Sequence, residues 1–226
     1  MITLSLLLGG PAAHADERIA EVLTRSQQLQ MDREALADPD SAQARLVRAS
    51  FDTVARALGL NPAVSLRVIE GGTVAETLQG HVVLASESLA DLSEGERLFI
   101  LAHEFGHIAL HHWAQTEQVY QKWVPGAVTP ERTEPVAALL GRDASELAYR
   151  QELEADAFAL RTLRALGFPA REATSAFMHL GVIHDTPTHP GTRKRLAALR
   201  AAEASAAGDA QPATRNELID AVRRAD

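Results

Sequence analysis

Residues 94–112 leave this chain the least freedom. Leu98, Phe99, Ile100, Leu101, Ala102, Phe105, Ile108, Ala109 and Leu110 are apolar nearly all round a helical cylinder, so a helix here has to sit inside the molecule. Ser93 followed three residues later by Glu96 has the form of a capping box and predicts where that helix starts. In its middle stand His103-Glu104-Phe105-Gly106-His107. Four residues along a helix advance about 6 Å and fall about 40° out of line, so the two imidazoles leave one face and can converge on one ion. An HExxH sequence on a helix is the arrangement in which two histidines bind zinc and the glutamate takes a proton from water. His103 and His107 are therefore candidate ligands, and Glu104 is the candidate general base. Without such partners, two imidazoles and a carboxylate buried among Leu, Ile and Phe would be costly.

A tetrahedral hydrolytic site needs a third protein ligand and an open position. The chain has no Cys and nine His, so every ligand must be an imidazole or a carboxylate, and disulfides and thiolate chemistry are excluded. Gln151-Glu152-Leu153-Glu154-Ala155-Asp156 offers the carboxylates. Glu152 and Asp156 are four apart and share a helix face, so one could bind the ion while the other accepts a hydrogen bond from a ligand imidazole. Spacing does not choose between them, and Glu154 is expected in solvent. With 22 Lys+Arg against 30 Asp+Glu, a net charge of -8 and no long basic block, a nucleic-acid partner held by phosphate neutralisation is excluded.

Around this centre the periodicities predict a mostly helical α+β chain with a small sheet. Helices are expected over 15–38, over 41–58 with Gly59 as the stop, over 169–180 and over 192–206. A period of two at Val64, Leu66 and Val68 predicts a strand after Asn61-Pro62, closed by Gly71-Gly72, and a second is expected at 81–85. Residues 113–142, with Pro125, Gly126, Pro130 and Pro135, read as the least regular stretch, a long excursion that has room for short helical pieces and covers a cleft. Asp143 and Glu146 have the form of a second capping box, opening a helix that ends at Gly167. His111 and His112 are expected at the surface or behind the ligands; His81, His179 and His184 have no evident partners. Gly106 is expected to let another backbone or the substrate come close. Beyond Gly208 the chain reads as a polar tail in which Leu218, Ile219 and Val222 suggest a weak amphipathic helix.

The HExxH helix, then Glu152-Leu153-Glu154-Ala155-Asp156-Ala157-Phe158, then Thr188-His189-Pro190-Gly191-Thr192 with Arg195 downstream resemble the three ordered motifs of the HtpX, Oma and CAAX-prenyl-protease family of gluzincin metallopeptidases. The resemblance covers about residues 64–199 and extends to His112, five residues beyond His107. It implies a zincin-like metallopeptidase domain with a central HExxH helix and one zinc ion per chain. By the same resemblance His103, His107 and Glu152 bind the zinc, Glu104 is the base and Asp156 supports the ligands from behind. His189 and Arg195 would steady the substrate carbonyl or the oxyanion, although Thr188-His189-Pro190 reads equally well as a turn into the last helix. The chain departs from the family where an Asn-Ala and Pro-Gly-Gly segment would form the substrate-binding edge strand. Here residues 70–81 carry Glu70, Gly71, Gly72, Thr73, Val74, Ala75, Glu76, Thr77, Leu78, Gln79, Gly80 and His81.

Residues 1–15 read as a signal peptide: Ile2 to Gly9 is apolar and Ala13-His14-Ala15 fits small-x-small cleavage, though no Lys or Arg precedes the run. The expected layout is a signal peptide at 1–15, helices at 16–60, the zinc metallopeptidase domain at 61–206 and a polar tail at 207–226. No window approaches the roughly 20 apolar residues of a membrane span. The signal-like segment predicts a periplasmic or secreted protein, and the family resemblance implies an endopeptidase acting on unfolded or damaged envelope polypeptides. One alternative is a cytoplasmic regulatory metallopeptidase like ImmA/IrrE, disfavoured by the Thr-His-Pro segment. Another is a zinc-stabilised, non-catalytic chaperone or scaffold, for which an intact Glu104 would be superfluous.

Overall fold

The computed structural model describes residues 17–59, 64–71, 74–181 and 183–208. The signal-like segment 1–15, the Asn61-Pro62 turn, Gly72 and the helix suggested around Leu218 lie outside the described residues.

Two helices open the chain. α1 (Ile19–Met31) stops seven residues before its expected end, because residues 35–37 turn extended and run beside the first strand. Ala37 N–H donates to the Val68 carbonyl at 3.0 Å and Glu70 N–H to the Ala35 carbonyl at 3.0 Å. α2 (Ala42–Leu58) matches the expectation: the Ser41 hydroxyl accepts from Ala44 N–H, and Gly59 closes the helix at φ 65°, where a Cβ would be strained.

The sheet holds β1 (Ser65–Ile69), β2 (Ala75–Leu78) and β3 (Val82–Ser86) in the order β1-β3-β2. β3 is buried along its whole length and pairs parallel with β1 and antiparallel with β2. The two strands expected from the sequence thus do pair. β2 lies at the edge of the sheet, where the resemblance puts the substrate-binding strand.

α3 (Glu94–Ala109) is the central helix, buried from Gly95 to Gly106. Its capping box is closed on both sides: Ser93 N–H donates to Glu96 at 2.8 Å and Glu96 N–H to the Ser93 hydroxyl at 3.2 Å. Glu96 also joins α3 to α7 (Arg171–His179), accepting from the Ser175 hydroxyl and facing His179 Nδ1 at 2.7 Å. Buried Val47, Phe51 and Val54 of α2, Leu98, Leu101 and Phe105 of α3, and Phe158 and Leu163 of the long helix α6 (Ala137–Ala165) form the main core.

Residues 113–142, expected as an irregular excursion with short helical pieces, are more regular than that. They form α4 (His112–Trp123), the short α5 (Pro130–Thr133) and the first turns of α6 (Ala137–Ala165). Ile19 and Leu23 of α1 pack with Val124 and with Trp113, Tyr120 and Trp123 of α4, making a satellite core that supports α4. The prolines break nothing, since Pro125 follows α4, Pro130 is the first residue of α5 and Pro135 sits in a 3₁₀ turn. Asp143 is accordingly no cap. It lies inside α6 and accepts from Arg142, Lys122 and Trp123, whose hydrogen bonds hold its carboxyl well below the usual range. After Gly167, α7 and α8 (Thr192–Gly208) complete the fold close to their expected spans.

Candidate metal centre

α3 and α6 cross at Gly106. A Cβ there would lie 3.1 Å from Ala155 Cα and 3.3 Å from Phe158 Cβ, so the missing side chain lets the two helices touch, as expected for this glycine. That contact sets the HExxH face against the acidic run of α6. His103 Nε2 is 3.1 Å from His107 Nε2 and 3.6 Å from a Glu152 oxygen, and His107 Nε2 is 3.5 Å from the other Glu152 oxygen. Bonds of about 2.1 Å in a tetrahedron put neighbouring ligand atoms about 3.4 Å apart. The donor set therefore fits one small divalent ion, and these three residues could hold it.

The geometry separates the two carboxylates that spacing left open. Glu152 faces both Nε2 atoms, whereas Asp156, 1% exposed, lies behind His103 and accepts from its Nδ1–H at 3.0 Å. That bond leaves the Nε2 lone pair of His103 free for a ligand role. Burial alone would raise the Asp156 carboxyl, but hydrogen bonds from Arg195 and His103 outweigh it and hold the group below its ordinary value. Arg195, from α8, makes a two-pronged contact with Asp156, Nε to Oδ2 at 2.8 Å and a terminal nitrogen to Oδ1 at 2.6 Å. Its other terminal nitrogen is 3.3 Å from Glu152, and its guanidinium lies 4.7 Å over the Phe177 ring.

Glu104 is buried beside the ligands, and Thr77 of the edge strand donates to its carboxylate at 2.8 Å. Burial pushes the Glu104 carboxyl up to about 7, against the opposing pull of His103 and Thr77. His189 Nε2 is 3.5 Å from Glu152, and its Nδ1 is 2.9 Å from the Thr188 hydroxyl. The turn that carries it is held by Tyr149, whose hydroxyl donates to the Thr186 carbonyl at 2.7 Å. Six of the seven candidate site residues, His103, Glu104, His107, Glu152, His189 and Arg195, thus line one cleft, and Asp156 is buried behind it.

One contact was not legible in the sequence. Thr77 sits in a four-residue strand with no helical or alternating signature, so nothing local pointed to it. His112, expected at the surface or behind the ligands, is behind them: it is 3% exposed, with Nδ1 2.9 Å from His107 Nδ1. Burial, then His103, Arg150 and His111, depress its pKa to about 4. His111 stays outside, at φ 53°, where the chain turns from α3 into α4. His179 faces Glu96, and His81 Nδ1 is 2.8 Å from the Gln79 carbonyl, so both have partners that the sequence did not reveal.

The cleft has a volume of about 510 Å³ and is walled by Val74, Thr77 of the edge strand, Trp113 and Tyr120 of α4, and Leu147 of α6. Residues 41–203, more than half of the chain, match the sequence profile of peptidase family M48. The chain belongs to peptidase family M48. Membership of the family makes this M48 protein a peptidase of the metal-dependent kind, and His103, His107 and Glu152 are the residues that could hold the ion. Comparisons of the M48 chain with curated proteins and with solved structures return no match. Among its described residues no helix is long and apolar enough to cross a membrane.

Proposed function

We propose that the protein is a zinc-dependent endopeptidase for unfolded polypeptides. The observation that carries this is the convergence of His103, His107 and Glu152 in an open cleft with Glu104 beside them. Two imidazoles and one carboxylate suit zinc, and a bound zinc ion would polarise the scissile carbonyl and make a water acidic enough to attack it. Glu104 takes the proton from that water and delivers it to the leaving amine. A carboxyl raised by burial is suited to both halves of that task. His189, with Nδ1 accepting from the Thr188 hydroxyl, keeps its Nε2–H to donate to the oxyanion. Arg195 holds Asp156 and adds positive charge near the same oxyanion.

An extended chain lies along the edge strand β2 and fills the apolar wall made by Trp113, Tyr120 and Leu147. α4, part of the expected excursion, forms one side of this cleft and so restricts access to flexible segments. The physiological substrates we infer are unfolded or damaged envelope proteins, which rests on the family resemblance and the signal-like N-terminus. Processing of the N-terminus near Ala15 and recovery from the periplasm would support that location; an intact cytoplasmic chain would overturn it.

The direct test is hydrolysis of casein. Purified protein with one zinc per chain is expected to cleave it, to lose activity with 1,10-phenanthroline and to regain it on adding Zn²⁺. Failure of the zinc-loaded chain to cleave would favour the scaffold reading. Thr77→Val is expected to lower kcat about tenfold or more with little change in KM. A hydrogen bond to a charged group contributes about 1.5–3 kcal/mol, and here it steadies the base rather than the substrate.

A further inference from the structure

Each candidate ligand histidine has its second ring nitrogen against another side chain, and the two arrangements differ. His103 Nδ1 meets the carboxylate of Asp156, whereas His107 Nδ1 meets another imidazole, that of His112. We propose that His112 and Glu154 form a second orienting pair, fixing His107 in the tautomer that leaves Nε2 free for the metal. This rests on the metal-centre reading above.

Proton bookkeeping leads to it. His107 Nε2 faces His103 Nε2 at 3.1 Å and Glu152 at 3.5 Å, so it is the ligand atom and carries no proton. A neutral His107 then has its hydrogen on Nδ1. The atom in front of that hydrogen is His112 Nδ1, at 2.9 Å, which can accept only if it is bare. His112 is therefore protonated on Nε2. That nitrogen is enclosed and makes no hydrogen bond of good geometry within the protein, and a Glu154 oxygen lies 3.3 Å away. Glu154, 43% exposed at its side chain and also near Arg150, has room to close that distance.

The backbone is arranged for the same purpose. The left-handed turn at His111 ends α3 and swings His112 back, so that its ring meets that of His107 edge to face, centroids 4.9 Å apart. Gln151, the neighbour of Glu152, donates to the His112 carbonyl at 2.9 Å and pins the start of α4 to α6. Glu152, Glu154 and Asp156 thereby divide the work: the first faces both Nε2 atoms, and the others each complete the support behind one imidazole.

The test is zinc affinity, measured by competition with a chelating dye, with melting of the metal-free proteins as the control for folding. His112→Leu is expected to raise the zinc Kd about 10–100-fold, the usual effect of removing an outer-sphere partner. His112→Asn, whose Oδ1 takes the place of Nδ1 as acceptor, should recover most of that loss. Glu154→Gln should cost less than His112→Leu. In ¹⁵N spectra of histidine-labelled, zinc-loaded protein, His107 should carry its proton on Nδ1 and His112 on Nε2. A folded His112→Leu that binds zinc as tightly as the parent, or a His107 protonated on Nε2, would overturn the proposal. Should His112→Leu not fold, the tautomers of the parent decide. A parent that binds no zinc overturns the metal centre and this pair together, whereas a zinc-binding parent with an indifferent His112→Leu overturns the pair alone.

Discussion

Glu104→Gln is expected to lower casein hydrolysis about 10²–10⁴-fold while one zinc per chain remains bound. General acid–base catalysis is worth about that much, and the amide cannot accept the proton from the attacking water. Nothing else at the site should change. Glu104 is not among the three ligands, and Thr77 can still donate to the amide oxygen of the replacement. Burial already works against the charge on this carboxylate, raising it to about 7, so neutralising it should leave the metal-free protein melting no lower than the parent. Kinetics, metal analysis and calorimetry on one preparation check all three. Retained hydrolysis by the zinc-loaded variant would remove Glu104 from the mechanism.

Asp156→Leu is expected to damage both stability and metal binding. Asp156 is 1% exposed and takes two hydrogen bonds from Arg195, which the substitution would strand next to Glu152. Breaking a buried pair from one side costs about 3–5 kcal/mol, which urea unfolding of the metal-free protein would read. Zinc affinity should fall about 10–100-fold as well, since His103 Nδ1 loses its acceptor. Adding Arg195→Met separates the two effects. The double variant removes the stranded guanidinium but also takes the Arg195 contact away from Glu152, so stability should return in part, while His103 still lacks its acceptor and zinc should still bind weakly. A double variant that regains both would mean that Asp156 acts on the site only through the fold.

Elements whose signal is local read through to the structure. Ser41 and Gly59 delimit α2, and Ser93 with Glu96 delimits α3, because capping chemistry is settled within one turn of backbone. Asp143 with Glu146 offered the same sign and misled, since the helix had already begun at Ala137 and Asp143 found Lys122 and Trp123 on α4 instead. α4 itself has its Trp113, Tyr120 and Trp123 at helical spacing, but they become a buried face only against Ile19 and Leu23 of α1. Prolines at 125, 130 and 135 made the stretch look broken, although each stands where a helix tolerates one.

The same division holds at the site. His103, Glu104 and His107 were determined by the sequence alone, because four residues of helix fix the relation between them whatever surrounds it. The pairing of that face with α6, the separation of Glu152 from Asp156, and the roles open to Thr77, His112, His189 and Arg195 were decided by the tertiary structure. Glu152 and Asp156 have the same chemistry and share a face, so only their partners could tell them apart, and those partners lie far away in the chain, 53 and 39 residues from Asp156 for His103 and Arg195. Periodicity is a property of one element, whereas a ligand set and its supporting hydrogen bonds belong to the crossing of two helices, here allowed by the missing side chain at Gly106.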